Sequence, residues 1–289
     1  MNGFDVKVPI INKIKRKMQI SNGHYIKFDQ LARLIYAVSS AKELSKTKMA
    51  DLEEETGLPF RQVRNRISIG RALGLFKPNS LQLTRLGKLV SDYDTFCDSK
   101  AILEYLHYKA SGNFINLIWY EVFNGLLVHE KVMNYKGWME YFQKILAGQY
   151  TEHSLKDHLG KELRFIIDAY TEQNFQKLFL LQQDESGNLY RRRYTGFTPL
   201  VLTAMIYDFC STNEAQLFQV SEMAITPGSP AVVFGLDTAS FRQQVEGLHD
   251  RGWLRYETTH NLDQIRLKPG FTAIEFLSAY FENREPRRD

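Results

Sequence analysis

Between Thr47 and Thr84 the chain reads as two short helices separated by a left-handed break, an order that few folds accommodate. Thr47 can cap a helix running through Met49, Ala50 and Leu52. Gly57 then tolerates the left-handed conformation that closes a helix, and Pro59 suits the first turn of the next. On a helical wheel of the segment from Pro59 to Leu73, Phe60, Val63, Ile67 and Gly70 share one face, and Arg61, Gln62, Asn65 and Ser68 lie opposite. Leu81-Gln82-Leu83-Thr84, following the turn Lys77-Pro78-Asn79, reads as a short wing strand, with Thr84 starting another helix. Upstream, Phe28 to Ser39 is expected to be helical, with Phe28, Leu31, Leu34, Ile35 and Val38 facing inward. The sum is the pattern of a winged helix-turn-helix.

Charge is laid over that pattern unevenly. From Thr56 to Ser91 there are seven Lys or Arg and no Asp or Glu. Met1 to Ser91 carries 17 basic against 7 acidic residues, a net +10, so the rest of the chain carries −6 to reach the total of +4. Such segregation suits a polyanion, because neutralising phosphates releases condensed counterions. On the outer face of the second helix, Arg61 can donate bidentately to guanine, and Gln62 and Asn65 to adenine, with Ser68 alongside. Arg64, Arg66 and Arg71 flank that stripe where phosphates would lie, and Lys77 and Arg85 extend it toward the wing. Double-stranded DNA is therefore the expected partner. Two readings compete: a basic face that is merely solvated, and a winged helix that packs protein instead of DNA.

The remainder bounds the architecture. With 289 residues, 44% hydrophobic and 13% aromatic, the chain can bury a substantial core and form two or three subdomains. No apolar run approaches the ~20 residues of a membrane span, and the start, with four basic residues between Lys13 and Lys17, lacks the apolar stretch of a secretory signal, so a cytoplasmic location and no membrane partner are expected. Cys97 and Cys210 are too few for a disulfide framework or a cysteine zinc site. From Ala101 to Tyr170, apolar residues recur at helical spacing, broken at Ser111-Gly112-Asn113, Asn124-Gly125, Asn134 to Gly137 and Ala147-Gly148. Trp119, Tyr120, Phe123, Trp138, Tyr141 and Phe142 are expected to form the core of this helical middle, with base stacking as the alternative.

A hairpin is expected next, Leu178 to Leu181 and Leu189 to Tyr194 around a turn at Asp184 to Asn188. Its Arg191-Arg192-Arg193 would alternate faces on a strand, so at most two can meet one phosphate backbone. Helices at Thr198 to Phe209, Val220 to Ala224 and, capped by Asp237, Asp237 to Arg251 then precede strands Trp253 to Glu257 and Gln264 to Lys268 around His260-Asn261, and a terminal helix from Phe271 to Phe281. This is a second winged-helix pattern. Its candidate outer residues Ser240, Arg242, Gln243 and Gln244 share a helix with Glu246 and Asp250, so docking or dimerisation competes there with DNA. The expected architecture is mainly α, with winged helix-turn-helix modules at both ends, a helical middle and short wing β-hairpins. The expected domains are residues 1–98, 99–176 and 177–289.

Leu83-Thr84-Arg85-Leu86-Gly87, Asp94 to Asp98, Tyr105-Leu106-His107-Tyr108 and Trp119 to Asn124 together resemble the central signature of domain of unknown function family 4007. Ser154-Leu155-Lys156-Asp157, Gly228-Ser229-Pro230 and Val233-Phe234 fall where that family has similar elements. Gly23 to Phe28 stands where the family has a His-Glu-Thr-Phe-like run, so the chain reads as a divergent member. The resemblance implies a bacterial protein of DNA phosphorothioation or related phage-defence systems, with other components of such a system as partners and at least one branch acting as a DNA-nicking component.

There is no Walker phosphate loop, dinucleotide glycine motif or His-Glu-x-x-His, so nucleotide hydrolysis, redox chemistry and zinc proteolysis have no positive support. A nickase needs hard oxygen ligands for Mg2+ and a base to activate water. Asp94 and Asp98 as metal ligands, with His107 as the third catalytic group, have suitable types; the same residues can equally cap a helix, bracket a turn and fill a core. His153, Asp157 and His158 form a rival set, since residues 153 and 157 share a helical face. Beyond Mg2+ for nicking, no cofactor is indicated. The expected function is duplex-DNA binding; the alternatives are metal-dependent nicking, or an assembly adaptor whose modules bind protein partners or a second copy as a homodimer.

Overall fold

The computed structural model describes residues 16–41, 48–129, 132–258 and 262–288. Helix α1 (Phe28–Ser40) buries Phe28, Leu31, Leu34, Ile35 and Val38, the face its periodicity predicts. Helices α2 (Met49–Thr56) and α3 (Phe60–Ala72) pack on α1 and on each other. Gly57 joins them at φ 65°, and its N–H reaches the Glu53 carbonyl, closing α2 in a left-handed conformation that a side chain resists. The expected Thr47 cap lies outside the described residues.

The expected wing strand at Leu81 to Thr84 shrinks to one β-bridge, Phe76 to Leu83. Lys77 N–H donates to Gln82 O (2.9 Å) and Thr84 N–H to Leu75 O (2.9 Å), which closes the turn without extending it. The ladder stops because Thr84 turns to capping: its hydroxyl accepts the Gly87 N–H and so starts helix α4 (Arg85–Tyr93). Gly87 is required here, since a Cβ would sit 2.1 Å from Leu75 O.

The middle is helical, as expected: α5 (Lys100–Gly112), α6 (Leu117–Glu121), α7 (Tyr135–Leu146) and α8 (Gly160–Thr171). Asn124-Gly125, a predicted break, instead lies in a π-helical turn (Val122–Leu126) that continues α6 into Leu127–His129. The widened turn is held because Asn124 Nδ2 donates to Ser111 O and Tyr120 O while its Oδ1 accepts the Gly228 N–H. Trp119, Phe123, Trp138 and Phe142 are fully buried, the packing role predicted for them, whereas Tyr120 and Tyr141 lie at its edge.

Two small antiparallel sheets complete a mainly helical chain. Strands β1 (Val132–Asn134), β2 (Leu181–Gln183) and β3 (Asn188–Arg191) are ordered β1-β3-β2, so the expected hairpin gains a strand from the helical middle. Helix α9 (Pro199–Thr212), strand β4 (Leu217–Gln219), the short helix α10 (Val220–Met223) and α11 (Thr238–Asp250) precede strands β5 (Leu254–Glu257) and β6 (Gln264–Leu267), in a sheet ordered β4-β6-β5. Asp237 caps α11, as the sequence suggested. His260 and Asn261 lie outside the described residues. Helix α12 (Ala273–Phe281) packs on α9 and on α4, where Phe281 stacks on Tyr93 at 5.1 Å. A contiguous hydrophobic core running from Met18 to Leu277 therefore links all three expected domains. Among the described residues, no helix is long and apolar enough to cross a membrane.

Candidate nucleic-acid interface

Helix α3 is buried around most of its circumference. Val63, Ile67 and Gly70 face the core as expected, but Asn65, Arg66, Ile69 and Ala72 are buried too. What remains in contact with solvent, besides Phe60 and Gln62 in the first turn, is a stripe at i, i+3, i+7 and i+10: Arg61, Arg64, Ser68 and Arg71. These positions fall within an arc of about 100° at the helical period. Arg61 and Arg64 are exposed, and Ser68, Arg71 and Gln62 are half-buried. At the edge of the stripe, Phe60 is exposed rather than packed inward. Arg71 also ties down the following turn, donating from Nε to Lys77 O (3.2 Å) and from Nη2 to Ser80 O (3.0 Å). Lys77, exposed on that turn, donates to Gln82 Oε1. Arg85, exposed at the start of α4, lines a cleft of about 750 Å³ together with Asp208, Glu214, Lys268 and Phe271.

Two of the expected DNA contacts are corrected. Asn65 is only 5% exposed, and its Oδ1 accepts a bond from Asn22 Nδ2 (3.0 Å), so it reads no base edge. Arg66 is 3% exposed: Nη1 donates to Tyr25 O (2.7 Å), and Nε and Nη2 both donate to Gln30 Oε1 (2.9 and 2.7 Å). Burial lowers its guanidinium pKa, partly offset by Asp29 nearby. Both residues are drawn inward by a second layer that the wheel does not contain. The Ser21-Asn22-Gly23 turn lies over α3, held from beneath by Glu162 of α8, whose carboxylate accepts Ser21 N–H, Ser21 Oγ–H and Asn22 N–H. Burial raises the Glu162 pKa, and these donors pull it back. Asn22 and Gly23 both have positive φ, so the turn was legible as Ser-Asn-Gly; its docking on a carboxylate 140 positions away was not.

His107 is not brought to Asp94 and Asp98, which adjoin each other through a backbone bond. Asp94 ends α4, and its two carboxylate oxygens accept the Asp98 and Ser99 N–H groups, each at 2.9 Å. Ser99, not Asp98, caps α5. Asp98 is exposed and pairs with Lys177 (2.7 Å). His107 is 0% exposed in the core. Its Nε2–H donates to Val233 O (3.1 Å), and its Nδ1 accepts the Tyr170 hydroxyl, whose oxygen in turn accepts the Trp119 indole N–H. Burial lowers the His107 pKa from 6.5 to about 3, helped by Arg191 and opposed by the Val233 carbonyl. Below pH 6.5 the unfolded chain takes a proton that the folded chain refuses until about pH 3, so stability is lost across that window as pH falls. At pH 5 this one residue is expected to cost about 2 kcal/mol. Thermal melts of wild type and His107→Gln from pH 7.5 to 5 check it: the gap between them should narrow as pH falls, and parallel curves would contradict a neutral buried imidazole.

The other candidates are spoken for in different ways. Half-buried Arg191 donates from Nη1 to Phe123 O and Val232 O, and burial lowers its pKa to about 10. Arg193 pairs with Asp237, leaving Arg192 as the exposed member of the triplet without such a bond among the described residues. His153 and Asp157 do meet, at 3.3 Å, on an open surface, with no third ligand among the described residues. On α11, Arg242 is clamped by both oxygens of Asp263 and by the Tyr256 hydroxyl, and these bonds raise its pKa.

The family model for a protein of unknown function, DUF4007, matches residues 70–281. The chain belongs to this family. Among solved structures, magnesium-ion-bound SspB is similar over 91% of this chain and 87% of that chain, with 14% identity and a TM-score of 0.73. A second SspB crystal structure gives the same coverage and identity at a TM-score of 0.72. At that identity the likeness is one of fold. Comparison with curated proteins gives no match.

For this DUF4007 chain, the residues expected from sequence to hold magnesium and activate water are not assembled into one site. Both Asp94 oxygens are taken up by backbone amides, Asp98 by a lysine, and His107 is sealed in the core. Among the described residues, no group of three Asp, Glu, His or Cys side chains is placed to hold a metal.

Proposed function

We propose that this protein binds duplex DNA through α3 and the turn that follows, as a component of a bacterial DNA phosphorothioation or related phage-defence system acting in the cytoplasm. The observation that carries the reading is the single outward stripe Arg61, Arg64, Ser68 and Arg71, in a segment without an acidic residue from Thr56 to Ser91. We read α2, Gly57 and α3 as a helix-turn-helix with a reduced wing, and α9, β4, α10, α11, β5 and β6 as a second winged helix, whose sheet order β4-β6-β5 has the strand after the third helix at one edge. In the first unit, arginines spaced along the exposed arc of a helix face a groove while Lys77 and Arg85 lie where the backbone passes. The defence setting rests on membership of the family and on what the resemblance implies for it. SspB holds a magnesium ion in its crystal structure; for this chain no step of nicking is derived, because His107 is sealed in the core away from Asp94 and Asp98.

Titrating a labelled duplex at rising salt tests the reading. Binding through phosphates makes log K fall linearly with log salt, at a slope of about −0.9 per contact. An adaptor that docks proteins would leave the duplex unbound at every salt concentration.

A further inference from the structure

The solvent face of the second sheet carries an arrangement that costs energy by itself. Arg255 on β5 and Arg266 on β6 are direct cross-strand partners, and both are exposed. Like charges opposite each other weaken a sheet. Among the described residues, Glu257 is the one carboxylate paired with both, at 3.9 Å from Arg255 and 3.4 Å from Arg266. Edge protection accounts for a charge on β5, which ends the sheet, but not for one on β6, which runs through its centre with Leu217 of β4 on its other side. One residue past the end of β6, half-buried Lys268 lines the cleft that Arg85 also lines, together with Asp208 and Glu214.

We infer that the exposed β5–β6 face is a second contact for the DNA backbone, so that one duplex lies across both ends of the chain: on α3 and Arg85 at one, and on Lys268, Arg266 and Arg255 at the other. The inference rests on the duplex-binding reading above. It assigns the second unit a mode unlike that of the first, with the hairpin touching DNA and the helix not. Arg242, the basic residue of α11 nearest its start, is held by Asp263 and Tyr256, and Glu246 and Asp250 would repel phosphates from the rest of that helix. On the sheet, two guanidinium groups share one carboxylate, and a phosphate oxygen relieves the repulsion that Glu257 leaves. Because the hairpin meets only backbone, it adds affinity and salt dependence without sequence preference.

The experiment uses the full chain and fluorescence anisotropy on two labelled duplexes, one of about 40 base pairs and one of about 12, roughly a single helical turn. Arg255→Ala/Arg266→Ala is expected to weaken binding to the long duplex about tenfold and to flatten its salt slope by about two contacts, with the short duplex unchanged within twofold. Arg255→Lys/Arg266→Lys keeps the charge and should retain most of the slope, which a purely structural role for the arginines would not predict. If the alanine variant, folded by circular dichroism, binds the long duplex with wild-type affinity and slope while Arg61→Ala/Arg64→Ala loses binding, the hairpin contact is wrong and the first unit's role stands. Equal losses on both duplexes also overturn it, since the hairpin would then not be a second, separate contact. If wild type binds neither duplex, the failure belongs to the DNA reading itself.

Discussion

Replacing Arg61, Arg64 and Arg71 together by Ala is expected to weaken duplex binding about a hundredfold at physiological salt and to flatten the salt slope by roughly 1.8, which is two lost phosphate contacts, those of Arg64 and Arg71, at about 0.9 each. The effect is large because these residues occupy the stripe of α3 that the fold leaves open. Arg61 and Arg64 are exposed, so the loss should arrive with little change in stability. Arg71 is the exception, since its bonds to Lys77 O and Ser80 O hold the turn, and its removal should cost about 1 kcal/mol. Arg61, nearest the start of the helix, is the member placed for a base edge; Arg61→Ala alone should narrow any preference for a chosen duplex over a random one by about 1–3 kcal/mol. Anisotropy titrations at four or more salt concentrations check both statements. An unchanged affinity in the folded triple variant would remove α3 as the DNA contact.

The helices were legible wherever a single apolar face decided them. Helix α1 buries the predicted residues, and Asp237 caps α11 where the sequence places a cap. Helix α3 was half legible, because a wheel resolves one buried face and this helix has two. The second is covered by the Ser21-Asn22-Gly23 turn and by Gln30 of α1, partners distant in sequence and polar, so no hydrophobic period announces them. Arg66 was therefore read as surface by its charge, and burial of a paired Arg is the case in which residue type misleads. Phe60 failed in the opposite sense: an aromatic ring at the mouth of the helix is read inward by hydropathy yet stays exposed.

The candidate catalytic trio shows a different limit. Asp94, Asp98 and His107 are close in sequence and chemically apt, but proximity along a chain does not fix which way a side chain points. Asp94 turns back on the amides that open α5, and His107, on the inward face of the same helix, is answered by Tyr170 and by the carbonyl of Val233. The alternatives weighed for them, a turn bracket and a satisfied core histidine, are where the structure places them. Asp98 does neither, because the serine that follows it takes the cap.

Arg66→Ala is expected to destabilise the fold by on the order of 3 kcal/mol, since it strips a donor from the Tyr25 carbonyl and two from Gln30 Oε1 around a side chain only 3% exposed. For a chain of this size that corresponds to a drop in melting temperature of roughly 6 °C or more. Arg66→Lys keeps the charge without the planar fork, so it can satisfy one acceptor but not both, and should recover only part of the loss. Arg66→Met separates the two components of the cost. It keeps the apolar stem and discards the buried charge, so a loss smaller than that of Ala would measure how much the stem packs and how much desolvating the guanidinium offsets its bonds. In the folded fraction of each variant the salt slope of duplex binding should match wild type, because Arg66 faces Gln30 and Tyr25 and not the groove. The opposite pair of results, an unchanged melting temperature with a slope lowered by about 0.9, is what a phosphate contact would give and would return Arg66 to the DNA surface.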